Sequence, residues 1–342
     1  MNINVCVFGV SGFTGAKLLY FLNQHDKVKL RGVFGKSTKG SSLKKKYPEL
    51  DKFKDLIISD YKKFDFKNID LIFSCLPHGE FQKEIFNKLD PKIAIIDLSG
   101  DFRLKNTGDY ELFYEKKHVL KNKKNKFVYG LSELNREEIV NSKYIANPGC
   151  YPTSILIPIL PLIKTKLLKN CHLIINSKSG YSGAGRKPKN RNLFKELENN
   201  FFSYNVNKHK HFAEINQEIK RYNKNVTFTF IPHILPIFSG IQSNIFLDAK
   251  NISASTVVNE LKAYFKKEPF IKITSGEPPK LSDVQNTNNI LIKVFDDFLK
   301  KKVIIISCLD NLVKGAAGQA IQNMNLMFGF KQTTSLIDYE KK

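Results

Sequence analysis

Asn4-Val5-Cys6-Val7-Phe8-Gly9-Val10-Ser11-Gly12-Phe13-Thr14-Gly15, running on into Ala16-Lys17-Leu18-Leu19-Tyr20-Phe21-Leu22-Asn23, is the stretch that decides the fold. Its first five residues form an apolar, β-branched run of the kind that fills a strand buried on both faces. From residue 13 to 23 the pattern turns helical, with Leu18, Leu19 and Leu22 on one face. Between the two lies G-x-x-G-x-x-G. Glycines at a strand-to-helix junction allow a tight turn and let phosphate oxygens approach the N–H groups at the positive end of the helix. Gly9, Ser11, Gly12, Phe13, Thr14 and Gly15 are therefore the expected cofactor contacts, with two hydroxyls added to the backbone donors. The spacing differs from the commoner G-x-G-x-x-G, so its position carries the argument for dinucleotide binding.

Working outward, strands are predicted over 28–34, 69–74 and 93–97, with a helix over 79–89 between the last two. Strand and helix alternating in this way build a parallel sheet covered on both faces. Beyond residue 150 the pattern changes to longer strands over 171–178, 226–235, 241–247, 290–294 and 303–309, with a helix over 253–267. That is the pattern of a mixed sheet in an α+β domain. A last helix is expected over 313–328, where small residues early on permit close packing. The fold class expected is α/β, a Rossmann-type parallel-sheet domain followed by an α+β domain.

The 342 residues suffice for about two domains. A hydrophobic content of 42% rules out a disordered chain. No apolar run approaches the roughly 20 residues that cross a bilayer, and residues 1–8 lack a basic leader region, so a cytoplasmic protein is expected, with no membrane partner. The formal charge of +23 raises a nucleic-acid reading. Nearly all of it is lysine, spread thinly beside abundant Asn and Ile, so solvated surface is the simpler account and no specific nucleic-acid partner is expected. Cys6, Cys75, Cys150, Cys171 and Cys308 are odd in number and lack C-x-x-C spacing, which argues against disulfides and zinc. Cys6 and Cys308 fall in apolar strands and are expected in the core.

Enzymes that bind NAD place an acidic residue about 20 positions after the glycines, on the ribose hydroxyls. Residues 27–48 contain no Asp or Glu. The second strand instead runs into Phe34-Gly35-Lys36-Ser37-Thr38-Lys39. Lys36 and Ser37 suit a 2′-phosphate, which favours NADP(H). Leu76 and Pro77, with His78, close another strand and are expected to line the cofactor cleft.

Cys150 stands in Asn147-Pro148-Gly149-Cys150-Tyr151-Pro152-Thr153. Pro-Gly makes a turn, and Pro152 is tolerated only in a first helical turn. The thiol is thereby placed at a helix start, where the dipole favours thiolate. His209 and His211 are the close histidine pair, without a third metal ligand nearby, so acid–base work is the better reading. Glu214 is read either as orienting an imidazole or as a solvated helix-start residue. His25 and His118 look like surface residues, and His233 structural. Arg103 follows a strand end, where open α/β sheets bind ligands. Ser179-Gly180-Tyr181-Ser182-Gly183-Ala184-Gly185-Arg186 combines mobile backbone, hydroxyls and a guanidinium into a candidate anion cradle.

With these motifs in order, the chain resembles the N-acetyl-γ-glutamyl-phosphate reductases of arginine biosynthesis, part of the wider aspartate-semialdehyde dehydrogenase group. The likeness rests on 9–15, Leu76-Pro77-His78-Gly79, 97–103, Tyr129-Gly130-Leu131-Ser132-Glu133, 147–153, 179–186 and Asp310-Asn311-Leu312-Val313-Lys314-Gly315-Ala316-Ala317-Gly318-Gln319-Ala320. It implies NADPH-dependent reduction of an acyl phosphate through a thioester on Cys150, with His211 as the acid–base partner and no metal. Arg103, Asn147, Ser179, Arg186, His209 and Glu214 are then expected at the substrate, and Ser182, Gly183 and Asn311 at the cofactor. It also implies domains of 1–149 with 311–342 and of 150–310, the latter catalytic and forming a homo-dimer or tetramer. Phe212-Ala213 departs from the Thr-Pro frequent in the family, and Ser239 from a common Arg.

Overall fold

The computed structural model describes residues 2–36, 38–120, 126–186, 191–248 and 252–337. Its chain divides into two compact bodies, residues 1–148 with 316–342 and residues 149–315.

The first body is built on a parallel six-stranded sheet. Its strands are β1 (Ile3–Phe8), β2 (Val28–Phe34), β3 (Leu71–Ser74), β4 (Ala94–Asp97), β5 (Val128–Tyr129) and β6 (Tyr144–Ala146). They lie in the order β2-β1-β3-β4-β6-β5. Helices α1 (Phe13–Gln24), α2 (Leu43–Lys46), α3 (Glu80–Glu84), α4 (Thr107–Tyr114) and α5 (Arg136–Val140) occupy the connections. Because β2 and β3 flank β1 on opposite sides, the order reverses at β1, and a crevice opens at the strand ends where ligands bind in such sheets. The helix predicted over 79–89 is shorter than expected: it breaks at Ile85, which leaves helical geometry, and resumes as a 3-10 turn, Phe86–Lys88. Phe81, Ile85 and Phe86 are all buried, so the break points three large side chains into the core instead of following one helical face.

The second body begins at α6 (Cys150–Lys164) and continues through α7 (Arg191–Glu196), α8 (Lys210–Tyr222) and α9 (Ala254–Tyr264). Its sheet comprises β7 (His172–Gly180), β8 (Phe202–Ser203), β9 (Thr227–Leu235), β10 (Ile241–Leu247), β11 (Ile271–Ile273), β12 (Ile290–Asp296) and β13 (Val303–Leu309). The order is β11-β12-β13-β10-β7-β9-β8, mixed as expected, with β7 parallel to β9 and β11 parallel to β12. Helix α6 is apolar all round, and Tyr151 through Ile163 are buried. Its seven buried Ile and Leu side chains, at roughly 1.5–3 kcal/mol each, outweigh Pro158 and Pro161 inside it, at about 3 kcal/mol each. The chain then returns to the first body through α10 (Gly318–Met327), whose packed face carries Gln319, Gln322, Asn323 and Asn325, all fully buried.

Candidate active site

In the first body the three glycines do different things. Gly9 has φ +81°, and a Cβ there would lie 2.4 Å from the Cys75 carbonyl oxygen, so the loop after β1 is pressed against the end of β3. A Cβ on Gly15 would fall 2.4 Å from the Gly9 oxygen, so α1 packs onto its own turn only without a side chain. Gly12 is the N-cap of α1, with no side chain capping it. The positive N-terminus of α1 thus opens directly onto the glycine loop, a fit for a dinucleotide phosphate. Ser11 Oγ bonds Thr38 Oγ1 at 2.8 Å, which folds the segment after β2 over the glycine loop. Tyr47 Oη donates to the Val10 carbonyl at 2.6 Å and holds the loop from beneath. Lys36 stands at the mouth of a cavity of about 310 Å³ that Phe8, Phe34, Tyr61 and Leu76 wall in. Pro77 is exposed beside it in sequence. Ser37 lies outside the described residues.

The loop after β4 is buried and held by carboxylates. Asp101 accepts the Gly79 N–H on both oxygens, at 2.8 and 3.0 Å, and the Tyr110 hydroxyl at 2.8 Å. It thereby ties the loop after β4 to the start of α3. Asp97 accepts from the Ser99 hydroxyl at 2.7 Å. Burial, with the Asp101 carboxylate close by, holds Asp97 well above the usual carboxylate range. Arg103 is 6% exposed, and its Nη2 donates to the Leu98 carbonyl at 3.0 Å. Its setting is buried, unlike a surface ion pair. Asn147 is fully buried: its amide N–H donates to the Ala316 carbonyl, and its oxygen accepts from Asn323. His25 and His118, read as surface residues, are both buried. His25 Nε2 bonds Asn325 Oδ1 at 2.9 Å and His118 Nε2 the Asp101 carbonyl at 2.7 Å, partners that local sequence context cannot reveal.

In the second body Cys150 is half-buried as the first residue of α6. Its two chain neighbours are held by one turn at the start of α8. The Gly149 N–H donates to Glu214 Oε1 at 2.8 Å, and Glu214 is fully buried, not solvated. The Tyr151 ring meets those of His209 and His211 at 5.4 and 5.9 Å. The first turn of α6 is further fastened to the sheet by a serine relay. Ser154 Oγ donates to the Tyr151 carbonyl and bonds Ser243 Oγ, which bonds Ser177 Oγ in turn.

His209 caps α8. Its Nδ1 accepts the His211 N–H at 3.1 Å, which leaves the ring proton on Nε2, facing the Tyr204 oxygen at 3.3 Å. Tyr204 then donates to Tyr151, and Tyr151 to the His233 carbonyl at 2.8 Å. Burial pushes His209 down to about 3, so at neutral pH it is an uncharged acceptor. His211 follows it on α8, its ring 4.8 Å from that of His209. Phe212 packs on Phe228 with the rings tilted, centroids 4.8 Å apart, and anchors this turn.

The glycine cradle and the end of β13 meet in the same body. A Cβ on Gly183 would lie 3.3 Å from Ser179 Oγ and 3.9 Å from Asn311 Nδ2. Asn311 donates to Ser182 Oγ at 2.9 Å and accepts the Gly240 N–H at 2.7 Å. Ser179, Ser182, Gly183 and Asn311 thus form one cluster, whereas Arg186 is exposed at the edge of the described segment. This body extends to Gly315, so Asn311 belongs to it. Ser239 has a structural use: its hydroxyl donates to Asp310 Oδ2 at 3.2 Å, beside the N–H groups of Asn286 and Leu312. The sequence reading gave no role to Tyr47, Glu80, Asp101 or Tyr204, each of which acts on a residue distant in the chain.

Residues 4–142 match the semialdehyde dehydrogenase NAD-binding domain, and residues 150–311 the dimerisation domain of the same family. A probable chloroplastic N-acetyl-γ-glutamyl-phosphate reductase of Arabidopsis thaliana is 39% identical over 98% of this chain and 84% of its own length. The N-acetyl-γ-glutamyl-phosphate reductase of Caldicellulosiruptor bescii is 39% identical over 98% of both chains. Among solved structures, aspartate semialdehyde dehydrogenase II of Vibrio cholerae aligns over 96% of this chain and 99% of its own, with a TM-score of 0.75 at 17% identity. Aspartate semialdehyde dehydrogenase of Candida albicans, solved with NADP, aligns over 96% of this chain with a TM-score of 0.68 at 15% identity. These two likenesses concern the fold.

Proposed function

The chain belongs to the N-acetyl-γ-glutamyl-phosphate reductases of the semialdehyde dehydrogenase family, and from that premise we propose how its residues carry the reaction. It is an oxidoreductase of arginine biosynthesis that converts N-acetyl-γ-glutamyl phosphate to N-acetylglutamate 5-semialdehyde and phosphate. The observation that carries the proposal is the double hold on Cys150. Glu214 fixes the peptide before it, and the histidine pair packs on the residue after it.

Cys150 thiolate, favoured by the positive end of α6, attacks the acyl carbon. A C–S bond forms, the C–O bond to phosphate breaks, and phosphate leaves without needing a proton. NADP(H), which the glycine loop after β1 and the cavity beside Lys36 would hold, would supply when bound the hydride that reduces the thioester carbon. His211 gives a proton to the resulting oxyanion and takes it back as the C–S bond breaks, releasing aldehyde and thiolate. His209 cannot share this work, because burial keeps it neutral and its Nδ1 is committed to the cap. We assign Arg103, Asn147, His209 and Glu214 to positioning, since each is engaged with protein partners inside its body. We assign the substrate's anionic groups to Ser179, in the cluster with Ser182 and Asn311, and to the exposed guanidinium of Arg186.

The cofactor proposed is NADP(H), supported by Lys36 and Lys39 after β2 and by the acid-free 27–48 segment. The half-buried apolar residues Ile304, Ile306 and Phe246 on the outer face of the second sheet support a homo-oligomer joined through that face. Five free cysteines suit a reducing compartment such as the cytoplasm. The test runs the reaction in reverse with phosphate, NADP⁺ and the N-acetylglutamyl, aspartyl or aminoadipyl semialdehyde. N-acetylglutamate semialdehyde is expected to be turned over best, and Cys150→Ser to lose at least about 10³-fold in kcat. Near-normal turnover by Cys150→Ser would remove the thioester scheme, and preference for another semialdehyde would remove the substrate.

A further inference from the structure

The acidic residue that discriminates NAD from NADP by sequence position is absent from 27–48, but the fold delivers one to the same place from a different element. The cavity of about 310 Å³ lies where β1 and β2 end, at Phe8 and Phe34, with Leu76 from the segment after β3. That is the switch point of the sheet, where a dinucleotide's adenosine half is bound. Its rim carries Lys36 and Glu80. Glu80 is the first residue of α3, and its Oε2 accepts from Lys36 Nζ at 2.9 Å. The Lys36 side chain is 70% exposed and that of Glu80 30%, so lysine is the mobile partner and glutamate the seated one. A second pair, Lys39 with Asp60 at 3.1 Å, lies on the same rim.

A 2′-phosphate carries a charge of about −2 and accepts hydrogen bonds only. To use Lys36 it must displace the Glu80 carboxylate and then lie beside it, two anions sharing one ammonium. A free 2′-hydroxyl is a donor and finds in Glu80 a fixed acceptor with no charge conflict. We propose that Glu80 is a specificity-determining residue that holds the preference for NADPH down, so that the chain accepts NADH as well. This rests on the assignment of the cavity to the cofactor's adenosine end.

The test is a calorimetric titration of wild-type, Glu80→Gln and Lys36→Ala proteins with adenosine 2′,5′-bisphosphate and with adenosine 5′-monophosphate, beside KM values for NADPH and NADH. Glu80→Gln is expected to tighten the bisphosphate about fivefold and to weaken the monophosphate, so that the NADPH-to-NADH ratio of kcat/KM rises about tenfold. Lys36→Ala is expected to weaken the bisphosphate alone. A Glu80→Gln protein that shifts both ligands by one factor, or neither, overturns the role of Glu80. A wild-type protein that binds neither nucleotide overturns the assignment of the cavity, and the proposal with it.

Discussion

A Cβ built on Gly315 would lie 2.7 Å from the Cβ of Cys150 and 3.2 Å from its Cα. The backbone at Gly315, in a π-helical turn, therefore rests directly on Cys150, and such turns recur at functional sites because they bring backbone where a regular helix would not. Neither Cβ sits on a flexible chain end, so one backbone must move. Gly315→Ala is expected to lower kcat at least about tenfold, since small misplacements of a reacting group are costly. Its signature is a changed rate of Cys150 alkylation by iodoacetamide in the folded protein. An unaltered alkylation rate with unaltered kcat would show that the contact does not place the thiol. Cys150 itself was legible from its Pro-Gly turn and following proline. The contact with Gly315 was not, because 165 residues separate the two positions.

At the scale of elements, the strand–glycine–helix unit behaves as its local pattern demands. Gly15 admits no side chain, with the Gly9 oxygen 2.4 Å from where a Cβ would stand. Gly15→Ala is expected to destabilise the first body by about 1–3 kcal/mol, read as a lower urea midpoint, and to weaken NADP⁺ binding. Full stability and binding would mean that α1 can shift off the loop freely. Helices whose faces follow a period, such as α1 and α9, were visible in the sequence. The break in α3 was not, since it answers to three-dimensional packing of Phe81, Ile85 and Phe86. The cap of α8 was also hidden, because histidine is not among the usual N-cap residues and its role depends on a tautomer that Tyr204 helps to set.

For the whole molecule, acid is expected to act through buried histidines. His209 titrates at about 3 when folded, below its ordinary value of 6.5. The unfolded chain thus binds the proton more readily, so stability is complete above pH 6.5 and falls as pH drops toward 3. His25 is displaced in the same direction by burial in the first body, but there Asp97, held above its ordinary range, favours the protonated fold and opposes it. The second body is therefore expected to lose stability first on acidification, read by scanning calorimetry from pH 7 to pH 4.5. His209→Asn, which keeps a capping oxygen, should flatten that decline. An equally steep decline in the variant would assign the acid sensitivity elsewhere.

Two kinds of information separate along these lines. Hydrophobic period, glycine spacing and the proline-flanked cysteine are short-range constraints, so the fold class, the longer strands, the glycine loop after β1 and the helix-start place of Cys150 followed from the chain read alone, whereas the short strands β5, β6, β8 and β11 did not. Charges and hydrogen bonds act across space. Only folding decides that Glu80 meets Lys36, that Glu214 holds the peptide before Cys150, and that Asp101 ties two loops together. The absence of an acid near Lys36 in sequence was true of the chain and untrue of the cavity, because a sheet that reverses its strand order brings the ends of distant segments side by side.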